Sequence, residues 1–403
     1  MTSILARLAL VIFGFLVAIG GAELTLRLAE IGSDQMLSQD RELGLRFIES
    51  KSGLSQGSCF KARVTTNSHG WRSPETTWDK PDDVYRILVL GDSLMAALQV
   101  NDDETSSAVM EALLNRANLP KRVEVINLGV PSFGTDQEYL ALREYGKKYK
   151  PDYVVLAFYA QNDVGNNSIA LRERDVVYVK PYFALEDNVL KELPFPDPTP
   201  YWIEFVRRAG QPFRLYPWMR DTLMTIPFVH RILYETGIVG IVPRDTSQKM
   251  RPQNYPGNWV EQSKVFRKDY TARWSAAWDL TKALLRAARA KAKDLGAGFL
   301  LVQIASTIEV MPNTVLSQVL PEDVRSELDP DKPMVLLRDF AANEGIDFLS
   351  LVPTFRERIG QDEAAFTKYY LPCDGHWPAA GNGLPAETLA AYLEPIIEKS
   401  LAP

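Results

Sequence analysis

VYRILVLGDSLMAALQV, residues 84–100, is the stretch on which the fold turns. Its apolar run Ile87–Leu90 ends at Gly91-Asp92 and delivers a hydroxyl, Ser93, as the chain leaves a buried strand. In open α/β sheets ligands gather outside the carboxyl ends of the strands, so a serine just past a central strand faces the cleft. The same residues also fit a tight turn with a capping serine, and the choice rests on what accompanies them.

Outward from this stretch, strand and helix patterns alternate. Val109, Met110, Leu113 and Leu114 recur at helical spacing after Asp102 and Asp103, which are placed to cap the start. Val123–Leu128 reads as a second strand closing on Gly129, and Thr135 with Glu138 has the spacing of a capping box opening the next helix. Tyr153–Tyr159 is a third strand, apolar enough to be buried on both faces. Ala160, Asn162 and Asp163 follow it. The alternation then stops, and Gly165–Asn254 is rich in proline and aromatics, among them Tyr182, Phe183, Trp202, Phe205, Tyr216, Trp218 and Phe228. A structureless loop of this length is unusual, so the stretch reads as an inserted subdomain or lid with a small aromatic core. The pattern resumes with a helix bearing Trp274, Trp278, Leu285 and Ala288 and ending at Gly296. Strands at Phe299–Ile304 and Asp347–Leu351, a helix over Met334–Asn343 and a final helix from about Ala379 to Leu393 complete it. Five strands separated by helices imply an α/β fold with a doubly wound parallel sheet, because parallel neighbours require crossovers. The expected organisation is a terminal segment 1–30, a polar, turn-rich leading segment 31–84 with a knot at Asn67-Ser68-His69-Gly70-Trp71-Arg72, a main domain over 85–163 and 265–403, and the insertion 164–264.

Leu8–Ala22 carries no charge and extends to Ile4 if Arg7 snorkels, close to the ~20 residues a bilayer requires. It reads as a signal anchor, or as a cleaved signal ending in Gly20-Gly21-Ala22, with the bulk of the chain outside the cytoplasm. A buried core helix is the other reading. Arg7 precedes the run but Arg27, Arg41 and Arg46 follow it, so the basic residues do not fix the orientation. A net charge of -6 leaves no surplus of Lys and Arg for phosphates and argues against nucleic acid as a partner. Cys59 and Cys373 are too few for a zinc cage. In an oxidising compartment they can pair, tying the leading segment to the region of His376, or they can stand as two thiols. With His69, His230 and His376 scattered and no glycine-rich phosphate loop, no metal or cofactor is expected.

Serine is a weak nucleophile and needs a base, for which histidine is the usual choice near neutral pH. His69 lies in the leading segment and His230 in the insertion, whereas His376 follows the last strand in Asp374-Gly375-His376-Trp377. Asp374 is placed to orient the imidazole, provided the pair lies in an irregular loop, as Pro372 and Gly375 allow. The N–H groups of Ser93 and Gly129 and the amide of Asn162 are candidate donors to an oxyanion, one at each of the first three strand ends. Taken singly, Gly129 reads as a turn glycine and Asn162 as a turn or cap residue; their joint arrival at consecutive strand ends favours the site.

These four fragments, Gly91-Asp92-Ser93-Leu94, Asn127-Leu128-Gly129, Asn162-Asp163 and Asp374-Gly375-His376-Trp377, resemble the blocks of the SGNH, or GDSL-type, hydrolase superfamily in order. The resemblance covers about Tyr85–Asp163 and Val265–Leu393. It implies a flavodoxin-like five-stranded sheet, Ser93 as nucleophile, His376 as base, Asp374 as its partner, and Ser93, Gly129 and Asn162 as oxyanion donors. Two departures are visible. Ala160 stands where the family commonly has glycine, narrowing the floor of the site. The Asp-x-His pair also replaces Asp-x-x-His, which looks like the membrane-associated, periplasmic branch that includes alginate O-acetyltransferases.

The expected activity is therefore a serine esterase removing acyl, chiefly acetyl, groups from an extracytoplasmic glycan or a small ester. An O-acetyltransferase with the same residues, and a membrane-tethered binding or assembly protein with dead chemistry, are the alternatives.

Overall fold

The computed structural model describes residues 2–171, 180–194, 209–210, 212–216, 219 and 259–402. Within them the strands are β1 (Leu37–Asp40), β2 (Gly44–Phe47), β3 (Ser52–Gln56), β4 (Lys61–Thr65), β5 (Val84–Leu90), β6 (Arg122–Asn127), β7 (Tyr153–Phe158), β8 (Phe183–Glu186), β9 (Val189–Glu192), β10 (Gly298–Gln303) and β11 (Asp347–Ser350). Five of these form one sheet in the order β11-β10-β7-β5-β6, every neighbour parallel. All residues of β5 and β7 are buried, as their unbroken apolar runs require when helices cover both faces. Those helices are the crossovers Ser106–Arg116, Thr135–Tyr149, Ala272–Asp294 and Lys332–Glu344, joined by the final helix Ala379–Leu401. The final helix packs on Ser106–Arg116, and Ala272–Asp294 packs on Thr135–Tyr149. The expected doubly wound α/β sheet is thus present.

The strand order has a consequence for function. From β5 the chain steps one way to β6 and then returns to the other side at β7. The gap between the carboxyl ends of β5 and β7 is therefore the topological switch point, where such sheets hold ligands. Ser93 follows β5 and Asn162 follows β7.

Several local expectations are revised. Asp102 and Asp103 do not cap the helix after β5. They form a 3-10 turn with Glu104, and Thr105 caps instead, its Oγ1 accepting the Ala108 N–H at 3.2 Å. The leading segment, polar in sequence, folds into two hairpins, β1–β2 and β3–β4. Leu43, Phe47, Val64 and Trp71 are buried in the common core. His69 belongs to this layer, stacked on Trp78 with ring centroids 3.6 Å apart and bonded to the Tyr149 hydroxyl at 2.9 Å. In the insertion, Tyr182 and Phe183 are buried, Phe183 edge-on to Tyr139. Trp202, Phe205, Trp218, Phe228 and His230 lie outside the described residues.

Residues Thr2–Leu28 form one helix whose apolar side chains, among them Leu10, Val11 and Phe13, are exposed rather than packed in the core. Its span Ile4–Leu28 is long and apolar enough to cross a membrane.

Cys59 and Cys373 are joined in a disulfide across 314 positions. Closing so long a loop restricts the unfolded chain and stabilises the fold by up to about 5 kcal/mol in the chain-entropy view. Reduction with a dithiol should lower the unfolding midpoint of the intact chain by at least several degrees. A non-reducing peptide map without a Cys59–Cys373 cross-link, or an unchanged midpoint, would count against the tie.

Candidate active site

At the end of β5 the backbone turns into the short helix Ser93–Ala96, capped by Asp92, whose Oδ1 accepts the Leu94 N–H at 2.9 Å. Ser93 opens this helix and faces a cavity of about 400 Å³ at the switch point. Its own N–H finds no acceptor among the described residues, and so remains available to a ligand.

The loop after the Glu363–Tyr369 helix supplies the imidazole. Tyr370 donates its hydroxyl to Ala305 O at 2.7 Å, and Trp377 stacks on Phe355, so both ends of the loop are anchored in the core. Between them the Leu371 N–H donates to His376 O at 2.7 Å and the Gly375 N–H to Leu371 O at 2.8 Å. Gly375 holds φ +78°, a left-handed conformation that glycine adopts without a side-chain clash. This tight turn lays His376 over the cavity with Nε2 2.8 Å from Ser93 Oγ, a hydrogen bond across 283 positions.

Asp374 lies on the other side of the ring. Its Oδ1 accepts the His376 backbone N–H at 3.0 Å, and its Oδ2 is 3.4 Å from Nδ1. At that distance Nδ1 is in electrostatic contact with the carboxylate but makes no hydrogen bond, and Asp374 Oδ2 instead accepts Gln99 Nε2 at 3.0 Å. Burial pushes the Asp374 carboxyl up, but the close imidazole and the backbone N–H of His376, with the Gln99 amide, outweigh it and hold the group below its ordinary value. Gln99 was not singled out by the sequence, since nothing local marks a glutamine as reaching a loop 275 residues away.

Asn162 lines the cavity, and its Nδ2 donates to Asp92 Oδ2 at 2.8 Å, which fixes the carboxamide and uses one of its two N–H groups. Gly129 is differently engaged. Its N–H donates to Asn127 Oδ1 at 2.9 Å, and the residue does not line the cavity. A Cβ there would come within 2.7 Å of Met95 Cβ, so close packing accounts for this glycine. Ala160 is likewise fully buried behind the wall instead of narrowing the floor. Three residues beyond Gly129, Ser132 does line the cavity at φ +69°, and its N–H has no acceptor among the described residues. Pro131 sits at the second position of a turn closed by the Phe133 N–H on Val130 O, but proline there suits turns of either sign of φ at the third position, so Ser132 carries no signal in the sequence.

Beneath the site the capping-box reading of Thr135 and Glu138 gives way to a buried polar cluster. Gly134 occupies the cap position of that helix, and the Thr135 hydroxyl and both carboxyl oxygens of Glu138 are buried without a hydrogen-bond partner among the described residues. Asp163 is also fully buried, its Oδ2 accepting the Tyr159 N–H at 2.9 Å. Desolvation raises the Glu138 and Asp163 carboxyls well above the usual range; the charges of Asp92 and Asp136 add to it for both, and that of Glu138 for Asp163. Asp92 is itself raised by burial. Asp136 has a cation, Lys180, 2.5 Å from its Oδ2 with both side chains buried, and the same charge opposes the rise of Glu138.

No family model and no curated protein matches the chain. Among solved structures it is similar to an acetyl xylan esterase, AlAXEase, at 12% identity over 76% of this chain and 99% of that one, with a TM-score of 0.38. It is similar to TesA at 14% identity over 77% and 99%, with a TM-score of 0.37. A catalytic mutant of Axe2, an acetylxylan esterase from Geobacillus stearothermophilus, matches at 14% identity over 77% and 92%, also with a TM-score of 0.37. These are similarities at low identity; the roles assigned below rest on the distances within the site itself.

The buried acids make the fold sensitive to pH in a stated direction. A carboxyl whose folded proton affinity exceeds its unfolded one stabilises the fold at low pH, and that contribution is lost as pH rises above the ordinary value of 4.5 for Glu138. Glu138→Gln should therefore gain in unfolding temperature relative to the wild type between pH 5 and pH 8. A gap that stays constant over this range would mean that Glu138 does not titrate as described.

Proposed function

We propose that the protein is a serine-dependent acyl-ester hydrolase of the SGNH type. The observation that carries the reading is the 2.8 Å hydrogen bond between His376 Nε2 and Ser93 Oγ inside a cavity at the switch point of the sheet. In this reading Nε2 takes the hydroxyl proton as Oγ attacks the ester carbonyl, and the imidazolium returns that proton to the departing alcohol. Water then enters and gives a proton to the same nitrogen as its oxygen attacks the acyl carbon; the bond from that carbon to Oγ breaks, the carboxylic acid leaves, and the imidazolium returns the proton to Oγ. Asp374 stabilises the imidazolium, shortening its contact with Nδ1 as positive charge develops. The N–H groups of Ser93 and Ser132 and the free N–H of Asn162 act as donors to the oxyanion, with Ser132 in the place expected for Gly129.

The substrate proposed is an O-acyl, chiefly O-acetyl, group on a glycan. Support comes from the cavity wall, where Gln161 accepts from Thr307 Oγ1 at 3.0 Å and donates to Gln262 Oε1 at 2.9 Å beside Trp259. Side-chain amides, a hydroxyl and an indole suit a polyhydroxylated ring, and neither lysine nor arginine is among the described lining residues. The exposed apolar helix supports a membrane-tethered protein, and the Cys59–Cys373 bond an oxidising, extracytoplasmic setting.

Ser93→Ala and His376→Ala should each lower turnover of p-nitrophenyl acetate by ~10³-fold or more with an unchanged unfolding midpoint, and Asp374→Asn should be ~10²-fold less damaging. A fluorophosphonate should label the wild type at Ser93. Wild-type turnover in Ser93→Ala, or an unlabelled folded protein, would overturn the assignment. Release of free acetate from an acetylated neutral oligosaccharide, with no transfer to an added sugar, is the outcome expected of a hydrolase.

Asn162→Ala should lower kcat by ~10²- to 10³-fold with a small change in KM, since its amide is assigned to the transition state. A change confined to KM would move Asn162 from oxyanion stabilisation to substrate binding.

A further inference from the structure

The knot Asn67–Arg72 in the leading segment takes no part in the chemistry above, yet it sends a cation into the wall of the site. Asn67 builds the knot, its Oδ1 accepting the His69 N–H at 3.1 Å and the Trp71 N–H at 3.0 Å. Trp71 is fully buried, edge-on to Tyr145, and this anchors the next residue. The Arg72 side chain is 2% exposed. Its Nη1 donates to Ala96 O at 2.8 Å and to Ala97 O, and its Nη2 to Val100 O at 2.6 Å. Nε and Nη2 both donate to Asp102 Oδ1 at 3.2 Å. All five guanidinium N–H groups thus have acceptors, and three of those acceptors are carbonyls of the single turn that follows the Ser93–Ala96 helix.

That turn makes two backbone bonds of its own, the Ala97 N–H donating to Ser93 O at 2.9 Å and the Val100 N–H to Ala97 O at 3.2 Å, and Arg72 adds to these. Ala97 sits in the left-handed region at φ 50°, and the carbonyls at a helix C-terminus have no partners within the helix. A planar fork fixed at five points can gather several carbonyls at once, whereas a lysine ammonium has three donors and no fixed plane. The turn carries Gln99, whose Nε2 is bound to Asp374 Oδ2, the oxygen that faces His376 Nδ1.

We propose that Arg72 and Gln99 are positioning residues: Arg72 gathers the turn from Ala96 to Val100, and the turn presents Gln99 to Asp374, setting the orientation in which that carboxylate meets the imidazole. The proposal rests on the reading of His376 as base and Asp374 as its partner. It makes the leading segment part of the catalytic scaffold, since a side chain from outside the sheet fixes how the nucleophile turn and the acid loop meet.

The test uses the full chain and p-nitrophenyl acetate. Gln99→Met keeps the volume of the side chain but removes the donor. It should lower kcat about ten- to a hundredfold with KM changed by less than about threefold, as expected for a small misplacement of a catalytic group. Without the donor the carboxylate holds more negative charge and stabilises the imidazolium more strongly, so the acidic limb of the kcat/KM profile should move to higher pH. Arg72→Lys should change kcat and the limb in the same directions, and the double variant should be no worse than the more damaged single one, because both act through one contact. Wild-type kcat and pH profile in Gln99→Met would overturn the proposal, as would losses that multiply in the double variant. If Arg72→Lys fails to fold, Gln99→Met decides alone. Activity surviving Ser93→Ala would instead defeat the underlying hydrolase reading, so the two failures are distinguishable.

Discussion

The hydrogen bond from Ser93 to His376 spans two parts of the chain held by different means. Ser93 is fixed by secondary structure, one residue into a helix that starts where a buried strand stops. His376 is fixed by a loop clamped at both ends by aromatic side chains, Tyr370 and Trp377, and by a covalent bond at Cys373. A displacement of about 1 Å in either would open the contact, and proton transfer depends steeply on that separation. The surrounding structure therefore has to be rigid in the loop as well as in the sheet.

The electrostatics beneath the site follow from burial. Asp92, Glu138 and Asp163 lie close together in the interior, and Lys180 is engaged by Asp136. Three negative charges there would oppose an oxyanion forming above them. Desolvation raises Glu138 and Asp163 well above the usual range, which favours their neutral forms and makes the local field less negative. The cluster keeps its capacity to hold backbone groups, as Asp163 does for Tyr159, without carrying full charge.

Much of this was legible in the residues. The runs Ile87–Leu90 and Tyr153–Phe158 have the continuous apolarity of strands covered on both sides, and helical spacing marked the crossovers between them. The strand ends then placed Ser93 and Asn162 together. What remained hidden had physical reasons. The hairpins of the leading segment are four- and five-residue strands whose exposed faces are polar, so no periodicity rises above the loop background. Thr135 and Glu138 have capping-box spacing, but tertiary burial overrode that local preference. Ser132 was eclipsed by Gly129 because a glycine advertises unusual backbone geometry and a serine does not, even behind a proline. Contacts such as Gln99 to Asp374 exist only once the chain is folded and leave no local trace.

The link between Cys59 and Cys373 also bears on how the molecule is made. The first cysteine emerges early in synthesis and must wait for a partner 314 positions later, one residue ahead of Asp374. A chain halted before that point lacks both the second sulfur and the loop that carries His376, so this tie, unlike the hairpins beside Cys59, can close only when nearly the whole chain is present.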